Sequence, residues 1–188
     1  MAEALIIVDF QNDFTPPDGA LAVPEGDLIA GRLNELARSD QFELVVATRD
    51  WHSPDHESFE IHGGQWPVHC VQETDGAELH PALEREHVDV VIDKGQHRAA
   101  DGYSAFDGTD LAELLRERGI DSVTIVGLAT DYCVKNTALG ALREGFTVTV
   151  DTEGVRGVDV QPGDSQRALD ELRAAGATVA EARPAPAE

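Results

Sequence analysis

The sequence predicts an α/β protein: a doubly wound, mostly parallel six-stranded sheet with helices on both faces. Three observations carry this. Short apolar runs alternate along the chain with segments whose apolar residues recur at helical spacing. The runs are continuously apolar, as in strands buried on both faces by crossover helices. At 188 residues, 41 % of them hydrophobic, the chain can bury a full core without staples.

The first strand is expected at 4–9, a run of Ala, Leu, Ile, Ile and Val that ends in Asp9. Residues 27–38 follow as a helix, with Leu28, Ile29, Leu33 and Leu36 at helical spacing. Residues 43–48 and 88–93 read as the next two strands. Residues 110–118 form a helix with Leu111, Leu114 and Leu115 on one face. Then come a strand at 122–126, a helix at 133–144, a strand at 146–150, a helix at 165–175 and a last short strand at 178–180. These make one domain over 1–182, and the Pro- and Ala-rich tail 183–188 is expected to be disordered.

Charge narrows the function classes. Thirty-six Asp and Glu oppose 14 Lys and Arg, a net charge of −22, which disfavours nucleic acid and anionic membrane as partners. The acids are dispersed, as on a solvated surface. No run reaches membrane length. The N-terminus lacks the basic start of a signal peptide, so the expected compartment is the cytoplasm. Two cysteines, Cys70 and Cys133, make no disulfide framework. Nothing here decides between a monomer and a homo-oligomer.

One segment breaks the alternation. Residues 49–81 form a long loop holding five of the seven histidines, with Gly63-Gly64 and Trp66-Pro67. Loops longer than about 15 residues are usually functional or disordered, and the Trp, Phe and His content argues against disorder.

Ligands bind beyond the carboxyl ends of strands in such sheets, and three reactive side chains fall there: Asp9, Lys94 and Cys133. Each alone has an ordinary reading, as a turn acid, a solvated lysine or a packed thiol. Together an acid, an ammonium and a thiol can run nucleophilic catalysis, with Asp9 moving protons and Lys94 stabilising negative charge. Cys133 looks exposed at a strand-to-helix turn, where the positive helix end lowers a thiol's pKa and offers N–H groups to an oxyanion. In the long loop, Asp50 and His52 stand side by side and His69 can close the set. An N₂O group of this kind suits Zn²⁺, Fe²⁺ or Mn²⁺, although loop histidines can equally be surface residues.

The segments 4–14, 93–95 and 127–134 resemble the three signature segments of the cysteine hydrolases related to isochorismatase, in the same order along nearly the whole chain. The resemblance implies that family's hydrolase fold and an Asp-Lys-Cys catalytic set at Asp9, Lys94 and Cys133. It also implies an oxyanion hole from the N–H groups of Ala129 and Cys133, and a cis peptide at Leu128–Ala129. Asp50-Trp51-His52 with Trp66-Pro67-Val68-His69-Cys70 is similar to the nicotinamidase branch of that family. That similarity implies one divalent metal ion, zinc foremost with iron or manganese as alternatives, on Asp50, His52 and His69, and His56 as a further ligand found in some members only. Phe14, Trp66 and Tyr103 match the aromatics that hold the pyridine ring. The implied activity is hydrolysis of nicotinamide to nicotinate and ammonia through a cysteine thioester, in NAD salvage, with pyrazinamide as a side substrate. The remaining histidines, His62, His80, His87 and His97, match no motif and read as surface residues.

Overall fold

The computed structural model describes residues 1–181. Six strands form one sheet: β1 (Ala2–Val8), β2 (Leu44–Asp50), β3 (Val90–Lys94), β4 (Ile120–Leu128), β5 (Thr147–Arg156) and β6 (Thr178–Ala180). Their order is β3-β2-β1-β4-β5-β6, and every pairing is parallel. Four α-helices, α1 (Ala30–Ala37), α2 (Leu111–Glu117), α3 (Lys135–Arg143) and α4 (Asp164–Ala175), connect and cover it. The expected tail, 183–188, lies outside the described residues.

The two faces follow from the period of a strand, which sends successive side chains to opposite sides. Along β1, Ala4, Ile6 and Val8 pack with Leu111 and Leu115 of α2, Ala138 of α3 and Leu172 of α4. Leu5 and Ile7 pack on the other face with Leu33 and Leu36 of α1 and with Phe10, Cys70 and Leu79 from the loops. Three helices therefore cover one face, and α1 with the long loop covers the other. The strand order reverses between β1 and β4, which opens a crevice at their carboxyl ends.

Several boundaries differ from the sequence reading, each for a local reason. β1 stops at Val8 because Asp9 adopts φ 48°, which turns the chain out of the sheet. β2 runs on through Arg49 and Asp50, so the loop begins only at residue 51. Inside it, bridges pair His52 with Val71 and Phe59 with Trp66. The helix expected over 133–144 is two structures. A π-turn, Thr130–Val134, comes first, its Val134 N–H reaching back to Ala129 O at 3.1 Å, and α3 begins at Lys135. Cys133 thus sits inside a widened turn rather than at the first residue of a regular helix. The Leu128–Ala129 peptide is cis.

The join between β1 and β4 admits only glycine at position 127. Gly127 has φ 116°, and a Cβ there would meet Val8 O at 2.1 Å. Gly127→Ala is expected to destabilise the protein by about 3 kcal/mol or more. Urea denaturation of the two proteins checks this.

Candidate active site

Lys94, at the end of β3, is the centre of the crevice. It is one of two lysines in the chain and its side chain is fully buried. Its ammonium lies 2.7 Å from Asp9 Oδ2 and 2.6 Å from Asp50 Oδ1. It donates to Gly102 O at 2.5 Å and reaches Cys133 Sγ at 3.4 Å. The ends of β1, β2 and β3 and the turn after β4 thus meet on one cation. Gly102 approaches because it and Gly95 are glycines: a Cβ on Gly102 would lie 2.4 Å from Gly95 Cα.

Asp9 is oriented by Thr48, whose hydroxyl donates to Oδ1 at 2.7 Å. Its other oxygen forms the ion pair with Lys94, and the carboxylate lies within reach of the Cys133 thiol in a buried setting. Asp9, Asp50 and Cys133 present ligand atoms within 4.8 Å of one another. Gln11 braces the other acid: its side chain accepts from the Asp50 N–H and donates to Asp50 O, both at 2.9 Å.

Burial sets the protonation states. It pushes the Asp9 carboxyl up, more than the neighbouring Lys94 charge pulls it down. Burial opposes ionisation of Asp50 as well, but Lys94, His52 and His69 outweigh it and hold that carboxyl well below the usual range. For Lys94, desolvation is overcome by Asp50 and Asp9, which hold the amine charged. Cys133 departs from the sequence reading twice. It is buried, 6 % exposed, at the floor of the crevice. Desolvation pushes its thiol well up, with Lys94 only partly offsetting this and Asp9 and Asp50 adding to it. The resting group is a neutral thiol beside a carboxylate, and it needs a base to react.

Asp50, His52 and His69 are buried and bring one ligand atom each within 4.8 Å of the others. The imidazoles are prepared for a metal. His52 Nδ1 donates to Gly95 O at 2.8 Å and His69 Nδ1 donates to Pro67 O at 2.7 Å, which orients both rings, and His52 Nε2 lies 3.4 Å from Asp50 Oδ2. His56 is arranged differently. Its ring lies 4.0 Å from that of His52, but Nε2 donates to Ala100 O at 2.7 Å and Nδ1 faces the Ser58 hydroxyl at 2.7 Å. Both His56 nitrogens have protein partners, and the three ligand atoms that converge are those of Asp50, His52 and His69.

Beside these residues lies a narrow, largely apolar cleft. Phe14, Trp66 and Tyr103 line it, with Cys133 and Ala129 on its floor. Trp66 Nε1 donates to the Tyr103 hydroxyl at 3.1 Å. Tyr132, which the sequence reading passed over, meets the Trp66 ring edge-on at 5.0 Å. Its position next to Cys133 was the available signal. Thr48 and Gln11 were also passed over; a lone threonine in the apolar strand beside β1 was the clue for the first. Of the four histidines read as surface residues, His62 and His97 are exposed, while His80 is half-buried against the Phe10 ring at 5.2 Å.

Fold and site together define a cysteine hydrolase built on a parallel sheet with helices on both faces. An isochorismatase domain matches residues 3–184. A nicotinamidase of Escherichia coli is 46 % identical, covering 94 % of this chain and 93 % of its own. The pyrazinamidase of Pyrococcus horikoshii, solved in complex with zinc, superposes with a TM-score of 0.89 at 47 % identity, covering 97 % of this chain and 100 % of that one. A protein of L. infantum solved in complex with nicotinate gives a TM-score of 0.91 at 38 % identity, covering 96 % of this chain and 92 % of that one. The chain belongs to the isochorismatase-like family, in its nicotinamidase/pyrazinamidase branch. Among the described residues no helix is long and apolar enough to cross a membrane.

Lys94→Met would strand two buried carboxylates without their counter-ion. We expect a loss of about 3–5 kcal/mol, measured by urea denaturation, together with loss of turnover.

Proposed function

We propose that this chain hydrolyses nicotinamide to nicotinate and ammonia through a thioester on Cys133, as a step of NAD salvage. The observation that carries the reading is the Lys94 ammonium, which joins Asp9, Asp50 and the Cys133 thiol at the floor of an aromatic-lined cleft.

Phe14, Trp66 and Tyr103 would hold the pyridine ring by apolar and stacking contact, with its carboxamide over Sγ. Asp9 takes the thiol proton, and the sulfur attacks the carboxamide carbon. The N–H groups of Ala129 and Cys133 would receive the oxyanion. The C–N bond then breaks, and Asp9 returns the proton to the departing nitrogen, which leaves as ammonia. A water, deprotonated by Asp9, attacks the thioester; nicotinate departs and the thiol is restored. Lys94 keeps its charge throughout and compensates the negative charge that passes between Asp9, Sγ and the substrate oxygen.

The converging imidazoles of His52 and His69 and the ionised Asp50 suit a divalent cation, and zinc is the metal we propose. Such an ion, when bound, supplies a Lewis-acid contact for the ring nitrogen, direct or through water. Pyrazinamide carries a nitrogen and an amide in the same relation and is the expected side substrate. A metal-free relative that acts on carbamoyl amides would keep Asp9, Lys94 and Cys133 but would have no use for the Asp50, His52 and His69 group.

Ammonia release from a panel of amides tests the reading: nicotinamide and pyrazinamide should be turned over, and benzamide, which lacks the ring nitrogen, much more slowly. Equal turnover of benzamide would remove the role of the ring nitrogen. Asp9→Asn should lower kcat by about 10²–10⁴-fold in a folded protein. Treatment with a chelator should abolish activity, and Zn²⁺, Fe²⁺ or Mn²⁺ should restore it; full turnover in metal-free protein would contradict the ligand assignment.

A further inference from the structure

The mechanism leaves one buried acid beside the nucleophile without a task. Asp131 lies in the π-turn two residues before Cys133 and is 7 % exposed. Its carboxylate pairs with no cation in the turn. Instead Oδ1 accepts the Val158 N–H at 2.9 Å and Oδ2 accepts the Asp159 N–H at 2.8 Å. Both donors belong to the loop between β5 and α4. Such charge-assisted bonds from consecutive N–H groups hold a backbone segment firmly.

The clasped loop is part of the site. Val158 lines the substrate cleft together with Leu128, Ala129 and Cys133. The loop's far side is pinned as well. Asp159, at φ 51°, accepts from the Ser165 N–H and hydroxyl, both at 2.8 Å, in the first turn of α4. Gly157 leaves no room for slack, since a Cβ there would collide with Ser165 Oγ.

We propose that Asp131 is a positioning residue that locks the Cys133 turn to the Val158 wall of the cleft, fixing the distance between nucleophile and bound ring. This rests on the reading of Cys133 as the nucleophile. Asp131 touches neither substrate nor reacting atoms; it acts through the two backbone segments it joins. A carboxylate is needed because both N–H groups require an acceptor. An amide offers only one oxygen and would set its own NH₂ against the second donor.

The test uses the full-length, metal-loaded protein. In Asp131→Asn we expect a tenfold or larger fall in kcat, a several-fold rise in KM for nicotinamide, and faster amide hydrogen exchange across residues 157–160. Val158→Ala removes wall contacts but keeps both donors of the clasp, so it should raise KM while leaving amide exchange across residues 157–160 and the alkylation rate of Cys133 as in the parent. Ser165→Ala loosens the loop on its far side; it should lower Tm while leaving kcat within twofold. Should Asp131→Asn fail to fold, Val158→Pro deletes one donor of the same clasp and should lower kcat in the same way. Unchanged kcat in the folded clasp variants would overturn the proposal, as would an equal loss in Ser165→Ala. The exchange rates and the alkylation rate of Cys133 by iodoacetamide, which should change in Asp131→Asn, are read without substrate. A failure of the nicotinamide assignment would therefore leave them interpretable, and unchanged values in both would count against the clasp itself.

Discussion

Everything in the crevice depends on one buried ammonium. Lys94 holds Asp9 and Asp50 at ion-pair distance and touches the Cys133 thiol, with all four side chains withdrawn from water. Taking these charges out of water costs several kcal/mol per ion after relaxation. Their mutual attraction returns part of this, about 4 kcal/mol per pair at 4 Å in an effective dielectric near 20. Well-packed apolar residues in such places are often as stabilising or more so. The cluster is therefore better explained by chemistry than by stability.

The same ammonium divides two carboxylates into two tasks. Asp50, flanked by Lys94 and two imidazoles, stays ionised and available as a metal ligand. Asp9, deeper and with no imidazole beside it, is raised by burial, which suits a group that must accept and return a proton. Environments that push two acids apart in this way are how acid–base roles are separated in one site. The thiol completes the logic. Burial favours its neutral form, so its activation calls for a base, and Asp9 is the acid within reach.

Much of this was legible in the sequence because strand ends in a parallel sheet are chemically exposed positions. Continuous apolar runs located the strands, and Asp9, Asp50 and Lys94 followed from where those runs stop. The misjudged details have local causes that composition does not encode. The π-turn at 130–134 depends on a backbone hydrogen bond from Val134 to Ala129, and no residue pattern distinguishes it from the start of an ordinary helix. The depth of Cys133 depends on the loops packed over it, so its thiol was read as exposed and acidified when burial does the opposite. Thr48 lies outside the signature segments, and Gln11 and Asp131 lie inside them with no sign of their partners; those partners are 39 positions away for Thr48 and Gln11 and 27 for Asp131.

The central claim is that the thiol held beside Lys94 and Asp9 forms the acyl intermediate. Acid quenching of the enzyme during turnover of nicotinamide, followed by peptide mass spectrometry, tests it most directly. A nicotinoyl group is expected on the peptide containing Cys133, formed in the parent and absent in Asp9→Asn. A nicotinoyl group on Cys70, or rapid turnover with no acyl-enzyme trapped under conditions where hydrolysis of the thioester is slowed, would contradict it.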